Sequence, residues 1–388
     1  MAEPSLVFPA TEYRARVARL QAEMTKAGQD ALLLTSPADV FYVTGFLTRF
    51  WESPARPWFV VVPVSGAPVA VIPAIGAELM GRCWINNLRT WDAPDPVDDG
   101  VSLLVDTVCA LVPPRGRVGV PMGLETSVRM PMADYARLVE RLRPRAMVDA
   151  TDVVQRVREV KSAAEVEKIK AVCAVAGRAF ADVPKFARAG VPLAEVFRAF
   201  QRALLAEGAD WVSYVAGASG PGGYSDVISP AGSVPLASGD VLMLDTGAVR
   251  DGYFCDFDRN FAVGVVSDAV RRIHDALWEV TEDVLHALKP GLLARDVHQM
   301  FLRGLGARGV EVGGGRLGHG LGIALTEWPS FTPRDTTVLR AGMVLTLEPG
   351  AVVGAGRMLV HEENILLHDT GATLLSPRAP RKMPVLGP

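Results

Sequence analysis

Residues 240–265 read DVLMLDTGAVRDGYFCDFDRNFAVGV, which contains two strand-like runs separated by a turn signal. The first run ends at Asp245, and the second begins at Tyr253 and continues to the end of the stretch. Asp251-Gly252 between them is typical of a tight hairpin turn. We therefore predict an antiparallel hairpin whose two strands present Asp245 and Asp256 to one point from a rigid platform.

Three further short signatures supply metal-ligand side chains later in the chain. His319 lies in Gly-His-Gly-Leu-Gly, Glu348 in Thr-Leu-Glu-Pro-Gly, and Glu363 in His-Glu-Glu-Asn. With Asp245 and Asp256 they make four carboxylates and one imidazole, a set that can hold two neighbouring divalent ions. Such a pair polarises a carbonyl and generates a nucleophile from water at neutral pH. The oxygen-rich set favours Mn²⁺ or Fe²⁺ over Zn²⁺.

Composition excludes several other classes of protein. A chain of 388 residues, 49% hydrophobic and 21% charged, is long enough for two domains with full cores. A formal net charge of −3 predicts neither a nucleic-acid nor an anionic-membrane partner. We expect a cytoplasmic protein, since no signal peptide or membrane span is recognisable. The four cysteines have neither metal-type nor disulfide-type spacing, which predicts reduced thiols.

Local patterns divide the chain into an α/β domain at residues 1–153 and a second domain at residues 154–388. The first domain begins with an amphipathic helix at 11–28 that Gly28 ends. Ser162 and Glu165 form a capping-box pattern that starts a helix just after the boundary. Short strands that carry the His319, Glu348 and Glu363 signatures close the chain.

The order Asp, Asp, His, Glu, Glu with these flanks resembles the pita-bread metallopeptidases, which include prolidase, aminopeptidase P, methionine aminopeptidase and the metal-free relative creatinase. Residues 31–46, ALLLTSPADVFYVTGF, resemble the creatinase/prolidase N-terminal domain. Residues 158–162, REVKS, resemble the segment that joins it to the catalytic domain. The resemblance implies an α/β N-terminal creatinase/prolidase-like domain followed by an α+β pita-bread catalytic domain.

The resemblance also implies a role for each ligand. Asp245 would chelate one metal, Asp256 and Glu363 would bridge both, and His319 and Glu348 would complete the shell of the second. A metal-bridging hydroxide would attack the polarised carbonyl, while Glu348 moves the proton to the leaving amine. Two divalent ions are implied, most often Mn²⁺, with Co²⁺, Zn²⁺ and Fe²⁺ as alternatives. A homodimer is expected as well.

Two histidines that such peptidases usually carry have no counterpart in this chain. Ile228 stands where one lies before the first ligand, and Thr326 stands where the other follows the Gly-His-Gly element. His361 replaces an arginine that is common two residues before the last ligand. His361 is therefore a candidate catalytic imidazole, and a structural role beside the metal shell is the equal alternative. Loss of one acid/base group typically costs about 10²–10⁴ in rate.

Substrate-binding candidates flank the ligands. Thr326 and Trp328 follow the Gly-His-Gly loop, and Tyr214, Tyr224 and Asp226 lie in and around the glycine-rich loop 217–223. Their alternative role is loop packing. The same choice applies to a group of cationic and aromatic residues in the first domain that suits a carboxylate or a cation: Arg49, Trp51, Arg56 and Trp58.

The leading hypothesis is a dinuclear-metal hydrolase of small amides of the Xaa-Pro dipeptidase type, acting on a dipeptide or other small molecule. The missing histidines favour an alternative substrate of the osmolyte type, as in a dimethylsulfoniopropionate lyase or a non-peptide C–N hydrolase. A third hypothesis is a non-catalytic binding protein on the same fold, which five intact ligands make the weakest of the three.

Overall fold

The structure, a computed structural model, describes residues 7–53, 57–354 and 356–387. The chain divides into two units, Met1–Arg158 and Glu159–Pro388. Arg56, one of the residues predicted to form a substrate-binding group in the first domain, lies outside the described residues. Within those ranges no helix is both long and apolar enough to cross a lipid bilayer.

The first unit is built around a six-stranded mixed sheet with the strand order β4-β3-β2-β1-β5-β6. Its strands are β1 (Ala31–Leu34), β2 (Phe59–Pro63), β3 (Val69–Pro73), β4 (Leu88–Trp91), β5 (Arg117–Val120) and β6 (Ala146–Asp149). Its helices are α1 (Ala10–Ala27), α2 (Pro37–Thr44), α3 (Ala77–Gly81), α4 (Val101–Leu111), α5 (Met132–Arg141) and α6 (Thr151–Arg158).

Local sequence accounts for the start of this unit. Helix α1 ends where Gly28 adopts a left-handed conformation with φ 62° and ψ 41°, as the glycine stop signal predicts.

Trp58 is buried and packs against Phe46 and Trp51, with ring centroids 5.0 and 5.9 Å away. Trp51 and Trp58 therefore pack a loop onto the core, and Arg49 pairs with Glu52 at 3.0 Å.

The second unit contains five helices and twelve strands among its described residues. The helices are α7 (Ala163–Ala181), α8 (Val183–Phe186), α9 (Leu193–Ala206), α10 (Asp268–Ala287) and α11 (Ala294–Ala307). The strands are β7 (Trp211–Pro221), β8 (Asp240–Arg250), β9 (Tyr253–Phe254), β10 (Phe257–Val263), β11 (His319–Gly320), β12 (Glu327–Ser330), β13 (Val344–Leu347), β14 (Gly350–Gly354), β15 (Arg357–Val360), β16 (Glu363–His368), β17 (Gly371–Leu374) and β18 (Val385–Leu386).

Two sheets of this unit carry the ligand signatures. One has the order β18-β10-β8-β7 with β9 on β8, and the other has the order β12-β11-β13-β16-β17. Helices α10 and α11 pack against apolar side chains of these sheets in one buried cluster. At the start of the unit, Ser162 and Glu165 form both halves of the capping box that opens α7, which confirms the predicted helix start.

The predicted hairpin is present, with different strand limits. Strand β8 continues past Asp245 to Arg250, and the turn residues Asp251 and Gly252 take positive φ angles of 54° and 81°. After the turn, the chain pairs as β9, leaves the ladder at Cys255-Asp256, and pairs again as β10. The break matters because it frees Asp256 from the regular alternation of the strand.

Candidate metal centre

The first pair of strands positions two aspartates. Strands β8 and β10 are antiparallel, and their register sets Asp258 opposite Asp245 and Phe257 opposite Thr246. Asp256 immediately precedes β10, and its backbone N–H donates to Asn364 Oδ1 at 3.0 Å. This hydrogen bond fixes the backbone of Asp256 at the strand break. Asp245 and Asp256 are thereby held side by side.

The second pair of strands positions two glutamates and the histidine. In the β13–β16 ladder Leu347 pairs with Glu363, so the next step of the same register sets Glu348 opposite Glu362. Strand β11 pairs with β13 on its other edge and carries His319. Gly318 has φ 136°, and a Cβ there would lie 2.3 Å from the Thr346 carbonyl oxygen. Only glycine therefore lets the chain before His319 pass this close to β13.

The two strand pairs bring an aspartate, a histidine and a glutamate together. Ligand atoms of Asp256, His319 and Glu362 all lie within 4.8 Å of one another, and all three residues are buried. His319 Nδ1 donates to the Gly320 carbonyl at 2.7 Å, because a carbonyl can only accept. That bond directs Nε2 at Asp256 Oδ2, 3.2 Å away. Orientation of one imidazole nitrogen by a hydrogen bond at the other is a common feature of metal-binding histidines.

Tyr214, a candidate for the substrate side of the site, instead contacts two aspartates of the ligand group. Its hydroxyl lies 3.1 Å from Asp245 Oδ1 and also hydrogen-bonds Asp256 Oδ1. The ring passes close over β8, where a Cβ at residue 247 would lie 2.4 Å from Tyr214 Cε1. Gly247, the glycine of the Asp-Thr-Gly signature, is therefore needed for this contact. Tyr214 links the two aspartates and sets the direction of their carboxylates.

The site concentrates negative charge in a buried place. Burial first, then the Asp256, Asp258 and Glu348 carboxylates, raise the pKa of Asp245 well above its usual value. Burial and Asp256 raise the pKa of Glu348 to about 7, against the opposing effects of His319 and Arg316. Burial followed by the neighbouring carboxylates raises the pKa of Glu362 as well.

These residues fit divalent metal ions. Glu362 Oε1 is buried and has no hydrogen-bond partner among the described residues. An unpaired carboxylate oxygen beside other carboxylates is costly unless a cation neutralises it. Hard carboxylate oxygens with one imidazole form a donor set that suits Mn²⁺, Fe²⁺ or Zn²⁺. Asp245, Asp256, His319, Glu348 and Glu362 are the residues that the structure brings to this place.

Glu363 and His361, predicted as a ligand and a catalytic group, lie elsewhere. Glu363 accepts hydrogen bonds from Arg259 Nη2 at 2.9 Å, from Ser376 Oγ and from the Ala379 N–H at 2.7 Å. His361 Nε2 lies 3.9 Å from Glu363 Oε1, so these two side chains share one side of the segment. Side chains of neighbouring residues in an extended segment point to opposite sides. Glu362 therefore points away from His361 and Glu363, toward Asp256 and His319.

The predicted substrate residues have different surroundings. Tyr224 is fully buried, and its hydroxyl donates to Asn260 Oδ1 and accepts from the Val360 N–H, so it is part of the core rather than of a substrate surface. Thr326 and Trp328 are partly exposed. Thr326 Oγ1 accepts a hydrogen bond from Arg316 Nη2 at 3.0 Å. Ile228 is 85% exposed and takes no place beside the ligands.

Sequence profiles of known families match both parts of the chain. Residues 167–369 match "Metallopeptidase family M24", and residues 16–160 match "Creatinase/Prolidase N-terminal domain". The chain belongs to metallopeptidase family M24. This membership confirms the predicted fold class, a creatinase-like N-terminal domain with a pita-bread catalytic domain, and the expectation of a metallopeptidase-like hydrolase. The M24 family uses divalent metals.

Known proteins resemble the chain over nearly its whole length. It is 28% identical to the probable dipeptidase PepE of Mycobacterium tuberculosis (strain ATCC 25618 / H37Rv) over 367 residues, which cover 93% of each chain. The crystal structure of dipeptidase PepE from Mycobacterium ulcerans matches with a TM-score of 0.85 and 28% identity, covering 98% of this chain and 100% of that one. A prolidase from Thermococcus sibiricus has the same fold, with a TM-score of 0.85, 23% identity, and coverage of 96% and 99%.

The raised carboxyl pKa values predict how the metal-free protein responds to pH. The pKa of Glu348 is about 7 in the folded chain, whereas a glutamate in the unfolded chain has a pKa of 4.5. The folded state therefore binds more protons in between, and its stability falls as pH rises from about 4.5 to 7. We expect the Tm of the EDTA-treated protein to fall over this range and Glu348→Gln to reduce the fall. An unchanged Tm profile in Glu348→Gln would contradict this prediction.

Proposed function

We propose that this chain is a divalent-metal-dependent hydrolase of small amides, of the Xaa-Pro dipeptidase type. The observation that carries the proposal is the buried group of Asp256, His319 and Glu362 ligand atoms within 4.8 Å, with Asp245 and Glu348 alongside. Family membership and the dipeptidase names of its relatives support the same reaction class. We propose two ions, and the oxygen-rich donor set favours Mn²⁺. A homodimer remains our expectation for the assembly.

Each side chain has a distinct task in this proposal. When bound, the metal ions polarise the substrate carbonyl and lower the pKa of water. Asp245, Asp256, His319, Glu348 and Glu362 hold the ions. The Tyr214 hydroxyl orients the Asp245 and Asp256 carboxylates by hydrogen bonding. A carboxylate oxygen of Glu348 takes the proton from water and passes it to the leaving nitrogen, because a carboxylate beside the reacting atoms can act first as base and then as acid.

Arg316 supplies a positive charge next to this group. It donates to Thr326 Oγ1, which stands where related peptidases are expected to carry a histidine, and its charge lowers the pKa of Glu348. Arg316 is partly exposed. We propose that Arg316 binds the free carboxylate of a dipeptide or of another small zwitterion.

A second candidate function keeps the metals and changes the substrate. Ile228 is exposed, and Thr326 is a neutral hydroxyl bound to Arg316, so neither provides the imidazole expected in a proline peptidase. This observation favours a small osmolyte-type zwitterion, cleaved by a lyase or by a C–N hydrolase. Arg316 suits the carboxylate of such a substrate as well.

Parallel assays distinguish the two functions. The protein loaded with Mn²⁺ should release proline from Xaa-Pro dipeptides such as Ala-Pro, and EDTA should abolish the release. If metal is bound and no Xaa-Pro dipeptide is cleaved, the dipeptidase proposal is wrong. Release of dimethyl sulfide from dimethylsulfoniopropionate under the same conditions would support the second function instead.

The choice between two adjacent glutamates can be tested by metal binding. Glu362→Gln removes a proposed ligand and should weaken Mn²⁺ binding by about 100-fold or more, measured by isothermal titration calorimetry, because even outer groups of metal sites contribute about 10–100-fold. Glu363→Gln is the matched control. It should bind Mn²⁺ nearly as the wild type does and lower the Tm, because Arg259 loses its buried partner. The reverse pattern would restore Glu363 as the ligand.

Replacement of Arg316 tests recognition of the substrate carboxylate. Arg316→Ala should raise the KM for Ala-Pro by about 10–100-fold, since a hydrogen bond to a charged group contributes about 1.5–3 kcal/mol. The KM for Ala-Pro amide, which lacks the carboxylate, should stay near that of the wild type. Arg334→Ala, at an exposed arginine of the same domain, is the matched control. An equal rise in KM for both substrates would refute the role.

A further inference from the structure

Residues 321–326 form a loop that connects β11 to β12 and contacts both strand pairs of the metal centre. Strand β11, on one side of the loop, carries His319. On the other side, the Gly322 carbonyl accepts the backbone N–H of Phe254 at 2.9 Å. Phe254 ends β9 and lies two residues before Asp256. The loop therefore joins the strand that carries one proposed metal ligand to the strand that leads to another.

A buried carboxylate holds the loop in shape from the inside. Glu327 is the first residue of β12, and its Oε1 accepts the backbone N–H groups of Ile323 and Ala324 at 3.1 Å each. The Gly322 N–H donates to the Ala324 carbonyl at 3.1 Å, so the chain turns tightly at this point. Neither loop N–H that Glu327 binds belongs to a regular strand, and the carboxylate therefore supplies the acceptor that a sheet would otherwise provide.

Lys161 offsets the cost of burying this carboxylate. Its Nζ lies 2.9 Å from Glu327 Oε2, and each side chain is only 1% exposed. The Lys161 backbone N–H donates to the carbonyl of Gly342, just before β13, the strand that pairs with β11. A Cβ at Gly322 would lie 2.9 Å from Lys161 Cε, so the loop packs closely against the ion pair. A buried charge that loses its partner is strongly destabilising, which makes Lys161 part of the same device.

Strand pairing transmits the position of Glu327 to the metal ligands. Gly320 is the cross-strand partner of Glu327, and a Cβ at Gly320 would lie 2.1 Å from the Trp328 carbonyl oxygen. The Gly320 carbonyl accepts the hydrogen bond of His319 Nδ1 at 2.7 Å. A displacement of β12 would therefore move the group that directs His319 Nε2 at Asp256 Oδ2, 3.2 Å away.

We propose that Lys161 and Glu327 are positioning residues of the metal centre, which set His319 against Asp256 through the loop 321–326. The inference rests on the proposed function, because it assumes that these ligands bind a divalent ion. Lys161 and Glu327 stand outside the group of ligand atoms that Asp256, His319 and Glu362 form, so they act through the backbone of the loop. Outer groups of metal sites contribute about 10–100-fold to metal affinity.

Two double variants separate the grip on the loop from the buried charge. Lys161→Met/Glu327→Gln carries no charge, and the glutamine carbonyl oxygen can still accept the two loop N–H groups. Lys161→Met/Glu327→Leu is equally uncharged but lacks the acceptor. In isothermal titration calorimetry of the full-length, EDTA-treated proteins, the glutamine variant should bind Mn²⁺ nearly as tightly as the wild type. The leucine variant should bind about 10–100-fold more weakly.

Arg158→Met/Asp39→Leu is the matched control. It replaces another buried ion pair, whose atoms lie 2.8 Å apart and whose side chains are 6% and 8% exposed, by apolar side chains in the first unit. Its Mn²⁺ affinity should equal that of the wild type. Apolar replacement of a buried ion pair is often close to neutral in stability, so we expect all three double variants to fold, which their Tm values check.

Gly322→Ala tests the loop with the ion pair in place, even if the leucine variant fails to fold. The added Cβ displaces the loop from Lys161 and should weaken Mn²⁺ binding about tenfold. Gly314→Ala is its control, since a Cβ there meets open space, and it should bind as the wild type does.

The outcomes separate this inference from the proposed function. A loss of Mn²⁺ affinity confined to the leucine variant and Gly322→Ala, at a temperature where the proteins are folded, supports the inference. Equal affinity of the two Lys161 double variants, or an equal loss in Arg158→Met/Asp39→Leu, would overturn the inference alone. If the wild type binds no Mn²⁺, the proposed function fails and the inference fails with it.

Discussion

Repulsion among buried carboxylates is the constraint that shapes the second unit. Asp245, Asp256, Glu348 and Glu362 lie close together where little water screens their charge, and Asp258, the cross-strand partner of Asp245, adds to the repulsion. Such a group is stable only when protons or cations occupy it. The two pairs of antiparallel strands hold the carboxylates against this repulsion. Divalent ions bound there would offset this repulsion, since each carboxylate adds to the attraction for a cation.

Rigidity of the centre comes from hydrogen bonds around it as much as from the strands. Asn364 Oδ1 accepts the Asp256 N–H, the Tyr214 hydroxyl joins two aspartates, and the Gly320 carbonyl turns the His319 ring. Glycine at positions 247 and 318 permits two of these close approaches. The glycines in the Asp-Thr-Gly and Gly-His-Gly signatures are therefore required by close packing around the ligands.

One short segment of the chain serves two sides of the sheet. Glu362 lies in the cluster with Asp256 and His319, while Glu363 accepts a hydrogen bond from Arg259 on the other side and has His361 beside it. Arg259 bonds the backbone of Glu362 and the side chain of Glu363, so it joins the two sides. Thr326, where the resemblance predicts a histidine, accepts a hydrogen bond from Arg316.

The sequence by itself determined the family, the two-domain fold and four of the five residues that gather at the centre, because each of those residues has its own local signature. The start of α7 was readable for the same reason, since a capping box is a contact between residues three positions apart. Only the tertiary structure places Glu362 rather than Glu363 beside Asp256 and His319, because the two glutamates are adjacent and a shift of one residue reverses which side each faces. The sequence offered Tyr214 only as a candidate near the site, because its hydrogen bond with Asp245 joins residues 31 positions apart and no local pattern records such a contact.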